Sequence, residues 1–184
     1  MIWSILSPED GDEREELDRA LHDIDASPDR AAAIVAAAFI ERHLELALKA
    51  RLVQDDTYLK DMFRSSGPLG SFSSKIRMAY LLGICSKETT RDLETIKNIR
   101  NAFAHDVLIA GFDNQRINDL TENLENATVN LVIRIVGHDD VPPQMAFPKE
   151  ASTSRERFIR ASQILMFQFV TNKKRHRKPR EPLF

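Results

Sequence analysis

Apolar residues recur at helical intervals along most of the chain. A spacing of four and then three residues predicts a first helix over about residues 12–26. The sequence Ser27-Pro28-Asp29 is typical of a helix start, with a capping serine and proline at the first helical position, so a second helix is predicted over about 28–53. Its first half is apolar on nearly every side, which predicts a central, buried helix.

The same periodicity predicts further helices downstream. Thr89 and Asp92 fit a capping box at the start of one of them. Residues 128–136 fit either a short strand or a helix end, and 137–148 reads as a proline-containing loop. The further helices are predicted over about 56–63, 71–82, 89–105, 116–126 and 154–173. One core is predicted from Phe39, Ile40, Leu44, Ile76, Tyr80, Leu93, Ile96, Ile99 and Phe103.

The helical periodicity and the composition together predict one all-α domain of about six to eight helices. The chain has 184 residues, 42% of them hydrophobic, and only six glycines, which are few for an all-β or Rossmann-type protein. The predicted organisation is an acidic N-terminal helix over 1–28, a helical domain over 29–172 and a basic, disordered tail over 173–184.

Charge is distributed unevenly although the formal net charge is only −2. Acidic residues crowd the segment from Glu9 to Asp29, and basic residues crowd the segment from Lys149 to Phe184, so the two ends can attract each other within one chain or across a dimer. A single cysteine, Cys85, suits a reducing compartment and is interpreted as a small buried hydrophobe. No apolar run is long enough to span a bilayer and no signal peptide is evident, so a cytoplasmic, bacterial-type protein is expected.

The candidate chemistry lies in Arg100, Asn101 and His105. In a continuous helix Asn101 and His105 form an i, i+4 pair, and the long side chain of Arg100 can reach the same face. An arginine can bind a phosphate and a histidine can transfer a proton, so the three residues could cleave RNA without a metal. The alternative is a structural polar cluster in which Arg100 bonds helix-end carbonyls. The residues alone leave both open.

Other candidates are weaker. His43 is predicted to be packed and His22 solvated. The chain lacks CxxC, HExxH, GxxxxGK[ST] and GxGxxG patterns, so no metal and no cofactor are expected. The basic tail can contact nucleic acid weakly or can simply be solvated. Its candidate nucleic-acid-binding residues are Lys173, Lys174, Arg175, Arg177, Lys178 and Arg180.

Two blocks, 68–84 and 92–105, resemble the mannitol operon repressor family of bacterial regulators. The resemblance extends over about 29–169. It implies an all-α fold and a role in transcriptional regulation. It also implies no recognisable DNA-binding module, so action through a partner protein such as a transcription factor is expected.

The spacing of Arg100 and His105 also resembles the Rx4–6H motif of the HEPN superfamily. That resemblance implies a helical bundle, and in its RNA-cleaving members it implies a dimer in which two motifs face each other. The leading prediction is therefore a non-enzymatic regulator. A metal-independent endoribonuclease or RNA-binding protein is the alternative, with Arg100 and His105 catalytic and Asn101 orienting.

Overall fold

A computed structural model describes residues 11–127 and 151–172. Every regular element in these two ranges is helical, which confirms the predicted all-α class. A short 3₁₀ helix over Glu125–Ala127 follows the sixth α-helix. The α-helices are α1 (Gly11–Ala26), α2 (Asp29–Lys49), α3 (Asp56–Phe63), α4 (Phe72–Leu81), α5 (Lys87–His105), α6 (Gln115–Glu122) and α7 (Ser154–Asn172).

Helix α2 is the centre of the bundle. It packs against α1, α4, α5 and α7, and its buried residues run from Ala32 to Leu48. Alanines dominate its first half, and short side chains let neighbouring helices approach closely. The prediction of a central buried helix is confirmed.

The predicted core is confirmed at eight of its nine positions, and Tyr80 is the exception. Its side chain is 47% exposed. Helix α4 buries a stripe through Phe72, Ile76 and Ala79, and Tyr80 is turned about 100° away from Ala79. The aromatic ring therefore lies on the surface.

Two helix starts differ from the predictions. Helix α2 begins at Asp29, and Pro28 precedes it without a side-chain cap. Helix α5 begins at Lys87, where the Ser86 hydroxyl accepts a hydrogen bond of 3.2 Å from the backbone N–H of Thr89.

Asp92, predicted to cap α5, is instead fully buried on its inner side. Its carboxylate accepts backbone N–H groups of Glu125 and Asn126, each at 2.9 Å, and the Asn126 side-chain amide at 2.6 Å. These bonds attach the 3₁₀ helix to α5.

Most of the remaining helix ends are close to the predictions, but α2 ends at Lys49, before the predicted end near residue 53. Gly83 has φ of +67° and ends the turn after α4, as expected for a left-handed C-terminal residue. At the start of α7, the Thr153 and Ser152 N–H groups and the Ser152 hydroxyl donate to Glu156 and hold the pKa of this carboxyl at about 2. Helix α6 ends at Glu122, earlier than predicted. The predictions for 128–136 and 137–148 lie outside the described residues.

Candidate functional site at the end of α5

Arg100, Asn101 and His105 lie in the last two turns of α5. The opposite side of this helix is anchored in the core by Ile96, Ile99 and Phe103, all with no exposed surface. The three candidate side chains lie away from this buried stripe, with Arg100 and Asn101 partly buried and His105 exposed.

Arg100 faces α2. Its Nη2 lies 3.7 Å from an Oε atom of Glu41, and its side chain is 31% exposed. The other oxygen of the same carboxylate accepts a hydrogen bond of 2.9 Å from the Lys75 ammonium. Arg100 is thus one member of a mixed cluster of charges.

This charge cluster, defined as Glu41, Glu45, Lys49, Lys75 and Arg100, bridges α2, α4 and α5. Lys75 is its most buried member, and its ammonium also lies 2.9 Å from Glu45. Burial by itself would lower the pKa of Lys75, but hydrogen bonds from its ammonium to Glu45 and Glu41 raise it overall. Burial would likewise raise the pKa of Glu45, and the hydrogen bonds from Lys49 and Lys75 lower it overall.

Asn101 faces α6 rather than α2. It lines a cleft of about 490 Å³ together with Arg116, Asp119 and Asn123. His105 is exposed at the last position of α5. Within the described ranges no hydrogen bond joins the side chains of Asn101 and His105, and the contacts of Arg100 and Asn101 are with α2 and α6 respectively.

The carbonyl groups at the end of α5 are bound by Arg30, a residue that sequence reasoning missed. Its guanidinium donates to the carbonyl oxygens of Phe103, Asp106 (3.2 Å) and Ile109 (2.7 Å). The structural alternative assigned this role to Arg100, and Arg30 of α2 performs it instead. The available signal was a lone arginine at the edge of an alanine-rich, buried helix face.

A second missed arginine, Arg155, closes the end of α1 in the same way. It forms an ion pair with Asp29 and donates to the carbonyl oxygens of Ile24 (3.2 Å) and Ser27 (3.0 Å). The other oxygen of Asp29 accepts the backbone N–H of Phe112 at 2.8 Å. One aspartate therefore joins the starts of α2 and α7 to the loop that follows α5.

Gly111 is required where this loop meets Asp29. A Cβ atom at position 111 would lie 2.7 Å from the Asp29 carboxylate, closer than carbon and oxygen can approach. Next to it the ring of Phe112 contacts those of Phe103 and Phe158, with centroid distances of 5.1 Å in both pairs. The loop is consequently anchored on both its polar and its apolar side.

The anchored loop holds two apolar side chains in solvent. Val107 and Leu108, here called the apolar knuckle, are each 86% exposed. The Asp106 carboxylate accepts the backbone N–H of Leu108 at 3.0 Å, and Arg30 bonds the carbonyls on both sides of the pair. These hydrogen bonds hold the loop in one conformation while its two apolar side chains remain exposed.

The other candidate residues do not form a second site among the described residues. His43 is buried and stacked on Phe39 with a centroid distance of 4.1 Å, and His22 is solvated, as predicted for both. Burial raises the pKa of the Cys85 thiol to about 12, so it stays protonated at neutral pH. In the described part of the chain there is no group of residues that could hold a metal ion and no helix that could span a membrane. The six basic tail residues from Lys173 onward lie outside the described ranges.

Comparisons with known proteins place the chain among regulators. A family model described as mannitol repressor matches residues 19–173. The fold is similar to a chain in the X-ray structure of the MtlR–HPr complex from Escherichia coli, with a TM-score of 0.60 and 19% sequence identity. That similarity covers 84% of this chain and 98% of the other. A search of curated proteins found no match.

Proposed function

Because the chain belongs to the mannitol repressor family, we propose that it is a transcriptional regulator that acts by binding a partner protein. The observation that carries this proposal is the family match over residues 19–173. The fold similarity to a chain of the MtlR–HPr complex supports a protein partner and makes HPr, or a protein like it, the first to test.

We propose the apolar knuckle as part of the partner surface. Two adjacent apolar side chains at 86% exposure gain free energy when a partner covers them. The hydrogen bonds from Arg30 fix the loop before binding, so little conformational entropy is lost on association.

The test measures the affinity of the full chain for HPr from the same organism by titration calorimetry. We expect saturable binding, and we expect Leu108→Ser to weaken it roughly tenfold, in line with the loss of a buried leucine contact. Leu81→Ser is the matched control, since Leu81 is 76% exposed on α4 and lies outside the knuckle. Equal effects of the two substitutions would remove the knuckle from the interface, and absence of binding would reject HPr as the partner.

The alternative function, metal-independent RNA cleavage, requires Arg100 and His105 to act on one phosphate. The ion pair of Arg100 with Glu41 favours a structural role for this arginine. His105 is exposed and therefore accessible to an RNA substrate, and this observation is the reason to test the alternative.

A further inference from the structure

A groove of about 670 Å³ lies on the side of the bundle formed by the end of α4, the first half of α5 and the segment after α6. Its volume falls within the usual range for small-molecule sites. It lies next to the cleft that Asn101 lines, with which it shares Asn123.

The charged side chains of the groove balance one another. Lys87 and Arg91 contribute two cations, and Glu94 and Glu125 contribute two carboxylates. Arg91 pairs with Glu125 at 3.2 Å, and Glu94 pairs with Lys97 beside the groove. A balanced lining gives no net attraction for a phosphate or a nucleic acid, so it favours a neutral ligand.

Tyr80 supplies a flat apolar surface at the wall of this groove, with 47% of the residue exposed. The face of an aromatic ring packs well against the C–H groups of a ligand that carries its hydroxyls along its edges. The ring would lose contact with water and gain contacts once a ligand covers it.

Hydrogen-bonding groups line the same groove. Asn123 donates through its Nδ2 to the Asp119 carbonyl at 2.7 Å, and its Oδ1 is an acceptor. The Thr95 hydroxyl can both donate and accept, and an ion-paired carboxylate such as Glu94 keeps lone pairs for further donors. Such a set of donors and acceptors matches a ligand with several adjacent hydroxyl groups.

We propose that this groove binds a neutral polyhydroxylated small molecule, a sugar alcohol or a monosaccharide, packed on Tyr80 and hydrogen-bonded by Glu94, Thr95 and Asn123. The site is separate from the apolar knuckle, and binding to it does not depend on the proposed partner.

The experiment uses the full chain without any partner and measures binding by saturation-transfer NMR and titration calorimetry. The probes are D-mannitol, D-glucose, D-mannitol 1-phosphate and, as a short polyol, glycerol. We expect saturable binding of a six-carbon neutral probe, stronger than that of glycerol. Tyr80→Ala should raise its Kd by about fivefold, the factor typical of a lost aromatic contact.

Tyr58→Ala is the matched control, because Tyr58 is a 73% exposed tyrosine on α3 that does not line the groove. It should leave the Kd unchanged, while Glu94→Gln should raise it with the fold intact by circular dichroism. The proposal is overturned if no neutral probe binds, if the two tyrosine variants behave alike, or if the phosphorylated probe binds more tightly than D-mannitol. Partner binding measured separately keeps this result distinct from a failure of the proposed function.

Discussion

Arg30 and Arg42 occupy the same helix but hold the structure together to different degrees. The Arg30 guanidinium bonds three carbonyl groups at and beyond the end of α5. Arg42 forms a single ion pair with Glu16 of α1, and its side chain is 64% exposed. The two arginines therefore contribute differently to stability, because their guanidinium groups have different partners.

We expect Arg30→Ala to lower the free energy of unfolding by about 2–3 kcal/mol. The substitution removes a charged hydrogen-bond donor and leaves partly buried carbonyl groups without it. Arg30→Lys should restore only part of this, because a single ammonium cannot reproduce the planar guanidinium fork. Arg42→Ala, the control, should cost less than about 1 kcal/mol. Urea unfolding measures all three, and similar losses for Arg30→Ala and Arg42→Ala would contradict the assigned role.

Substitution of His105 distinguishes the two functions inferred from the sequence, a non-enzymatic regulator and a metal-independent endoribonuclease. We expect no cleavage when purified protein is incubated with total RNA in chelator, because Arg100 is paired with Glu41. Gel analysis of the RNA is the measurement, with His105→Ala as the matched control. Cleavage that His105→Ala abolishes without unfolding the protein would establish the endoribonuclease alternative.

At the scale of elements, helices were easier to predict than their ends. The sequence predicted each of the seven α-helices of the described residues, and most of them have a buried stripe that repeats with the helical period. The capping box at Thr89 was wrong because the Asp92 carboxylate accepts hydrogen bonds from Glu125 and Asn126, and such partners are far away in the sequence. Helix α2 starts one residue later than predicted, with Pro28 rather than Ser27 directly before its first residue.

The candidate site was predictable only in part for the same reason. The local motif correctly placed Arg100, Asn101 and His105 on one helix. Their orientation depends on Glu41 and on α6, which no local pattern encodes. Arg30 and Arg155 were missed because a guanidinium that binds backbone carbonyls of another helix leaves no signature near itself.

The charge cluster between α2, α4 and α5 makes stability depend on pH at both extremes. The pKa of Glu45 is lowered from 4.5, so its contribution is present above that pH and is lost as the pH falls through the lowered value. The pKa of Lys75 is raised from 10.5, so its contribution is full below that pH and is lost as the pH rises through the raised value.

We therefore expect the unfolding free energy to be flat near neutrality and to fall at acid and alkaline pH. Lys75→Met should flatten both limbs, since it removes the partner of both carboxylates, whereas the exposed Lys60→Met should leave the profile unchanged. Thermal unfolding across a pH series tests this, and an unaltered profile in Lys75→Met would show that the cluster is not responsible.

At the scale of the whole molecule, the predicted domain limits stay a prediction. Leu17 and Ile24 of α1 belong to the same buried core as α2 and α7, and the family match begins within α1 at residue 19. The acidic first helix is thus packed into the bundle. The basic tail begins at residue 173 and lies outside the described residues.

We expect this tail to give weak, sequence-independent binding to nucleic acid through its six basic residues from Lys173 to Arg180. Removal of 173–184 should lower the affinity for unrelated DNA and flatten its dependence on salt, measured by fluorescence anisotropy. A full-length variant with the six bases replaced by glutamine should behave like the truncation. If neither change alters affinity or salt dependence, the tail is a solvated segment.

The hydrogen bonds of Arg155 also set an order of events during synthesis. They reach back 128–131 positions along the chain to the carbonyls at the end of α1. At a translation rate of about 5–20 residues per second, α1 leaves the ribosome roughly 6–26 s before the side chain that completes its end. During that interval Arg155 cannot bind those carbonyls, so the end of α1 acquires its native hydrogen bonds only after the start of α7 has been synthesised.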